Sequence, residues 1–84
     1  MGQLMFLAGM DEELEHKLNE IGIYFFQEFS TIGVKKAWLN MKEVGMIVDF
    51  NTLLSLEAAL ENKEVSSLSK EVVANLSEFY QKNI

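Results

Sequence analysis

Apolar residues return every three or four positions along most of this chain, and glycines interrupt the rhythm. Leu14, Leu18 and Ile21 fall at i, i+4 and i+7, one stripe of a helix. Asp11 precedes that stripe as an N-cap, and Glu12 and Glu13 suit the positive end of the helix dipole. Gly22 supplies the left-handed residue that closes such a helix. The pattern predicts a short helix over residues 3–8, a second after Asp11, and a third over residues 24–31 presenting Phe25, Phe26 and Phe29. A fourth, over residues 34–44, carries Val34, Trp38 and Met41 on one face and Lys35, Lys36 and Lys42 mostly on the other. Residues 45–50, GMIVDF, read as a buried connector, since Met46-Ile47-Val48 has no partner strand. Asn51 or Thr52 caps a fifth helix over residues 52–62, apolar nearly all round and therefore central. Ser66 and Ser67 mark a loop. Ser69 caps a last helix over residues 70–81, with Val72, Leu76, Phe79 and Tyr80 as its apolar face.

The expected fold is all-α: a compact five- or six-helix domain containing a helix-hairpin-helix-like unit. At 84 residues the chain is read as one domain, residues 1–84. A chain of this length buries only roughly 60% of its unfolded surface, so its core is marginal. It has no Cys, which removes disulfides and thiolate metal sites and fits a reducing compartment. Yet 49% of its residues are hydrophobic. That excess predicts apolar surface at an interface, with a protein partner or with a second copy as a homodimer. No segment has the length of a membrane span, and the start lacks the basic region of a signal peptide, so the expected location is cytoplasmic, away from membranes.

Charge bears on the hairpin formed by residues 7–29. Such hairpins hold a nucleic-acid backbone through main-chain N–H groups at a helix N-terminus. Gly9 and Met10 form the turn, which makes them the candidate phosphate contacts, with Lys35, Lys36 and Lys42 as the basic cluster. However, Asp11, Glu12, Glu13 and Glu15 follow the turn, the formal net charge is −6, and all 7 basic residues are lysine. Two anions a few ångströms apart in water repel by about 1 kcal/mol. A nucleic-acid binder normally carries a basic stripe with arginines. Direct DNA binding is therefore disfavoured, and the Asp11 carboxylate is expected to take the N–H groups itself.

Three blocks resemble a known family. Residues 7–29 are similar to its L-x-G-I-G-x…L-x-x-x-G-I hairpin. Ile32-Gly33 followed by Lys36-Ala37-Trp38 is similar to L-G-x-x-x-A-Y/F, and residues 53–60, LLSLEAAL, to L-Y-A-L-E-G-A-I/L. The family is the TfoX C-terminal domain, found at the end of competence regulators of the TfoX/Sxy type and as small stand-alone bacterial proteins. Here Asp11 replaces the second glycine of the hairpin turn, Ala58 replaces the glycine of the third block, and Val65 stands where a tryptophan is often found. The resemblance implies a bacterial regulatory module: full-length members switch on natural-competence genes with the cyclic-AMP receptor protein at promoters.

The remaining candidate chemistry is sparse. Glu12, His16 and Glu20 share a helix face, but a solvated face explains them better than a metal site, because no fourth ligand is evident. Tyr24, Phe25, Phe26, Phe29 and Trp38 lack the positive groove of a base-stacking platform and are expected mainly in the core. Met5, Phe6, Tyr24, Phe25 and Met46 are the expected interface anchors. Glu57 stands in an apolar helix without a His, Cys or Lys arranged for catalysis. Gly-rich phosphate loops and Ser/His/Asp arrangements are absent. The sequence predicts a non-enzymatic regulatory or protein-interaction module, with no cofactor and no small-molecule substrate. The alternative is a nucleic-acid-binding helix-hairpin-helix domain.

Overall fold

The structure is a computed structural model that describes residues 3–84, apart from the side chains of Gln3 and Met5. The expectation for Met5 as an interface anchor thus falls outside the described residues. The described residues form two 3-10 turns, Gln3–Phe6 and Val65–Ser67, and five α-helices: α1 (Glu12–Glu20), α2 (Phe26–Ile32), α3 (Val34–Glu43), α4 (Phe50–Leu60) and α5 (Lys70–Lys82). No strand occurs among them, as expected of an all-α chain.

Helices α1, α2, α4 and α5 start where a local side chain accepts backbone N–H groups, while α3 starts at Gly33 with no side-chain cap. The Asp11 carboxylate accepts from the Leu14 N–H at 2.7 Å and starts α1. Ser69 Oγ accepts from the Val72 N–H at 3.1 Å and starts α5. Before α2 the bonding runs backward: the Glu28 carboxylate accepts from the N–H groups of Tyr24 and Phe25 at 2.9 and 3.0 Å. The start of α4 corrects the expected cap. Asp49, not Asn51 or Thr52, is the N-cap: its Oδ1 accepts from the Thr52 N–H at 3.0 Å, and Thr52 Oγ1 accepts from the Asp49 N–H. The reciprocal pair satisfies two orphan donors and moves the helix start to Phe50.

Helix α4 is central, packing against α1, α2, α3 and α5. Its Leu53, Leu56, Ala58 and Ala59 are buried, together with Leu14 and Leu18 of α1, Phe29 of α2, Ala37, Trp38 and Met41 of α3, and Leu76 of α5. Trp38 fixes the far side. Its indole N–H donates to the Asp49 carbonyl at 3.1 Å, and Phe79 and Tyr80 of α5 meet its ring edge-on, each 5.8 Å between centroids. Among the described residues, no buried side-chain N or O atom is left without a partner.

Three further expectations are corrected. The first element is a 3-10 turn ending at Phe6 rather than a helix to residue 8, because the Leu7 and Met10 N–H groups bond three residues back and Gly9 takes a left-handed φ of +79°. The connector is buried only in part. Met46 and Val48 pack against the core while Ile47, pointing the other way, is 94% exposed. The aromatic residues are also divided. Phe29 and Trp38 are core, but Tyr24 and Phe25 are each 51% exposed and Phe26 is at the surface.

Gly9 and Gly22 separate two roles of glycine. Both have positive φ, but a Cβ on Gly22 would meet nothing within 4 Å, whereas one on Gly9 would lie 2.8 Å from the Lys63 carbonyl oxygen. We expect Gly22→Ala to cost about 1 kcal/mol, from the backbone alone. Gly9→Ala should cost at least about 1 kcal/mol more, because backbone must shift. Urea unfolding of the two variants measures the difference.

Candidate functional site

The hairpin turn is turned toward its own chain. Gly9 lies against the end of α4, beside Lys63, Ala58 and Ala59. The Ala8 N–H donates to Asn62 Oδ1 at 2.8 Å. Asn62 itself adopts a left-handed φ of 56°, which lets its side chain reach back from the α4 terminus. Met10 packs partly on the core. With the Leu14 N–H bonded to Asp11, two of the turn's donors are engaged within the protein. The basic cluster lies elsewhere, along α3. Lys35 Nζ sits 5.5 Å from the Phe79 ring and Lys42 Nζ 5.4 Å from the Trp38 ring, and Lys42 also donates to the Asn83 carbonyl. Two of the three lysines thus stitch α5 to α3, and Lys36 is exposed. The structure does not bring Gly9 and Met10 together with these lysines in any of the clefts described below.

The expected interface residues also separate. Tyr24 and Phe25 form an exposed ledge before α2, beside an 870 Å³ hollow lined by Phe25, Glu28, Ile32 and Lys36. Phe6 is 88% exposed at the first turn. Met46 is half-buried in the connector.

A feature not anticipated from sequence is an open groove of 1060 Å³ between α1 and the α3–α4 connection. Val44, Met46 and Ile47 give it an apolar side, and Asp11, Glu13, Glu20 and Asp49 give it carboxylates. Lys17 is its one lysine and is paired with Glu13 at 3.1 Å. The Thr52 backbone N–H holds the Asp49 carboxyl below its ordinary range, so Asp49 stays ionised. The signal was present in the sequence as an apolar triplet between Gly45 and the N-cap Asp49, but burial was the simpler reading of GMIVDF. His16 lies 3.5 Å from Glu20 in an exposed pair. Among the described residues, no group of three or more His, Cys, Asp or Glu side chains is placed to hold a metal ion. No helix among them is long and apolar enough to cross a membrane.

Glu57 finds its partner one turn away. It lines a second cleft, of 580 Å³, with Lys35, Glu71 and Asn75, where α4 meets the α2–α3 junction and α5. Burial, then the hydrogen bond and negative charge of Glu61, push Glu57 up to about 7 against the opposing pull of Lys35. Glu61 is held low, first by that hydrogen bond and then by Lys63, its ion-pair partner at 3.1 Å. Below about pH 7 the pairing of Glu57 with Glu61 rests on one proton, carried by Glu57, the raised group. Their i, i+4 spacing was readable in the sequence.

These helices define a class: an all-α domain in which α1, α2, α3 and α5 pack on a central apolar helix. The chain belongs to the TfoX C-terminal domain family, which matches residues 1–80. It is similar to an uncharacterized protein from Listeria monocytogenes solved in a triclinic crystal form, at 28% identity and a TM-score of 0.88, over 94% of this chain and 90% of that one. A protein of unknown function from Listeria monocytogenes in a tetragonal form is also 28% identical, with a TM-score of 0.89, over 95% of this chain and 98% of that one. None of the curated proteins compared with the chain matches it.

The proton on Glu57 gives stability a defined pH dependence. A carboxyl whose folded pKa is raised binds a proton that the unfolded chain has lost. Its favourable contribution is full below the unfolded value and disappears as pH rises through about 7. The melting temperature should therefore lose a contribution between about pH 4.5 and about pH 7.5, and Glu57→Gln should remove that contribution. Calorimetry at the two pH values checks it.

Proposed function

We propose that this chain is a non-enzymatic regulatory module that acts by binding another protein. The carrying observation is the set of large apolar side chains left in solvent: Phe6, Tyr24, Phe25, Val44 and Ile47. A small domain that has filled one continuous core and still exposes such residues has surface suited to a partner. Family membership supports a regulatory setting, since by resemblance full-length members act on competence genes in the cytoplasm of bacteria. The alternative, a nucleic-acid clamp, gains nothing from the turn. Gly9 is pressed against Lys63, the Ala8 N–H is used by Asn62, and carboxylates surround the start of α1.

Affinity capture from the source cell with the intact chain, followed by crosslinking, tests the reading. One protein should be retained in stoichiometric amount and lost on the double substitution Phe25→Glu, Ile47→Asp, with the melting temperature unchanged because both side chains are exposed. Retention of no protein, or loss of retention on nuclease treatment, overturns it. Light scattering on the pure chain at high concentration separates a homodimer from a heterologous complex.

A further inference from the structure

The groove between α1 and the α3–α4 connection has a chemistry that selects among occupants. Its apolar side is presented outward, with Val44 63% and Ile47 94% exposed. Its polar side carries four carboxylates against Lys17, which Glu13 engages, and His16, which lies 3.5 Å from Glu20. Two of those carboxylates are fixed in place. Asp11 and Asp49 are N-caps, each accepting an N–H from its own helix through Oδ1. A cation meeting them pays little to order them, which favours binding by preorganised groups. An apolar anchor flanked by fixed charges of one sign is the arrangement that gives an interface both affinity and orientation.

We propose that this groove docks a basic, amphipathic segment of a protein partner, with Val44 and Ile47 receiving its apolar side chains and Asp11, Glu20 and Asp49 its lysines or arginines. The assignment rests on the protein-interaction reading above and names the chemistry of the partner. Other occupants fit less well. Nucleic acid and anionic lipid would place like charge against the carboxylates. Among the described residues, no three His, Cys, Asp or Glu side chains are placed together to hold a metal ion. A second copy brings a net charge of −6 to the same surface.

The probe is a synthetic peptide of lysines and leucines at helical spacing, about 14 residues or four turns long. Titrated into the intact chain at low salt, it should bind one to one, with backbone amide shifts confined to residues 11–20 and 44–55. Raising the salt should weaken it about tenfold or more, because the contacts are screened. Ile47→Asp should also weaken it about tenfold, with the fold intact. Glu64→Gln, outside the groove, should leave it unchanged. Shifts spread over the whole acidic surface, or equal binding by Ile47→Asp, overturn the assignment. So does self-association that Ile47→Asp abolishes, which would give the groove to a second copy. If the peptide fails while the chain still retains a cellular partner, the groove assignment falls and the interaction reading stands. If no partner is retained at all, the reading beneath it falls as well.

Discussion

The indole of Trp38 is held from several directions, and the shape of half the molecule follows from that. Its N–H is bonded to the Asp49 carbonyl, its edges take Phe79 and Tyr80, and Lys42 lies over its ring. A buried indole needs a partner for its N–H, and here the partner is backbone eleven residues on. That bond ties the start of α4 to the middle of α3. The chain must then pass from the end of α3 to Asp49 in a few residues. Met46 and Val48 turn inward along that path, and Ile47 is left facing out. The exposed Ile47 is thus a consequence of core packing, and the groove beside it inherits its position from Trp38. The same side chain docks α5, whose Tyr80 also meets the Phe50 ring at 5.6 Å between centroids.

Helical periodicity and caps were legible in the sequence because each depends on residues within one turn. Asp11 and Ser69 cap where their neighbours in sequence say they should, and Leu14 and Leu18 are buried on the predicted stripe. The misplaced start of α4 has a different origin. Phe50 looked like the end of an apolar connector, although the capping pair of Asp49 with Thr52 is itself local; a separate atom, the Asp49 carbonyl, accepts from Trp38. The exposed ledge at Tyr24 and Phe25 has a local cause. Glu28 fixes their backbone through their N–H groups, which leaves the rings to solvent whatever their hydrophobicity. Glu57 shows the reverse case: its partner Glu61 lies at i+4, visible in the sequence, but like charges do not read as a pair until burial makes one of them hold a proton.

Acidity in this chain is partly structural. Asp11, Asp49 and Glu28 accept backbone N–H groups at helix starts, where the dipole favours negative charge. The feature that would attract phosphate in a basic hairpin is here occupied by the protein's own carboxylates and by Asn62. Gly9, the residue most suggestive of a phosphate turn, is needed because α4 ends against it. A sequence feature shared with nucleic-acid clamps therefore serves internal packing.

The two kinds of surface on this molecule respond to salt in opposite ways, and this bears on what the exposed apolar groups are for. Copies carrying a net charge of −6 repel one another, which keeps side chains such as Ile47 from pairing between copies at low ionic strength. At physiological salt the Debye length is about 8 Å, so that repulsion fades beyond roughly one side-chain length. Self-association through an apolar patch would then strengthen with salt. Attachment of a basic segment to the carboxylates beside Ile47 would weaken. Under the proposed docking, acidity around an apolar anchor would discourage a second copy and favour a partner of opposite charge at the same place. The fixed N-cap carboxylates would make that selection without ordering any new side chain, because folding has already ordered them.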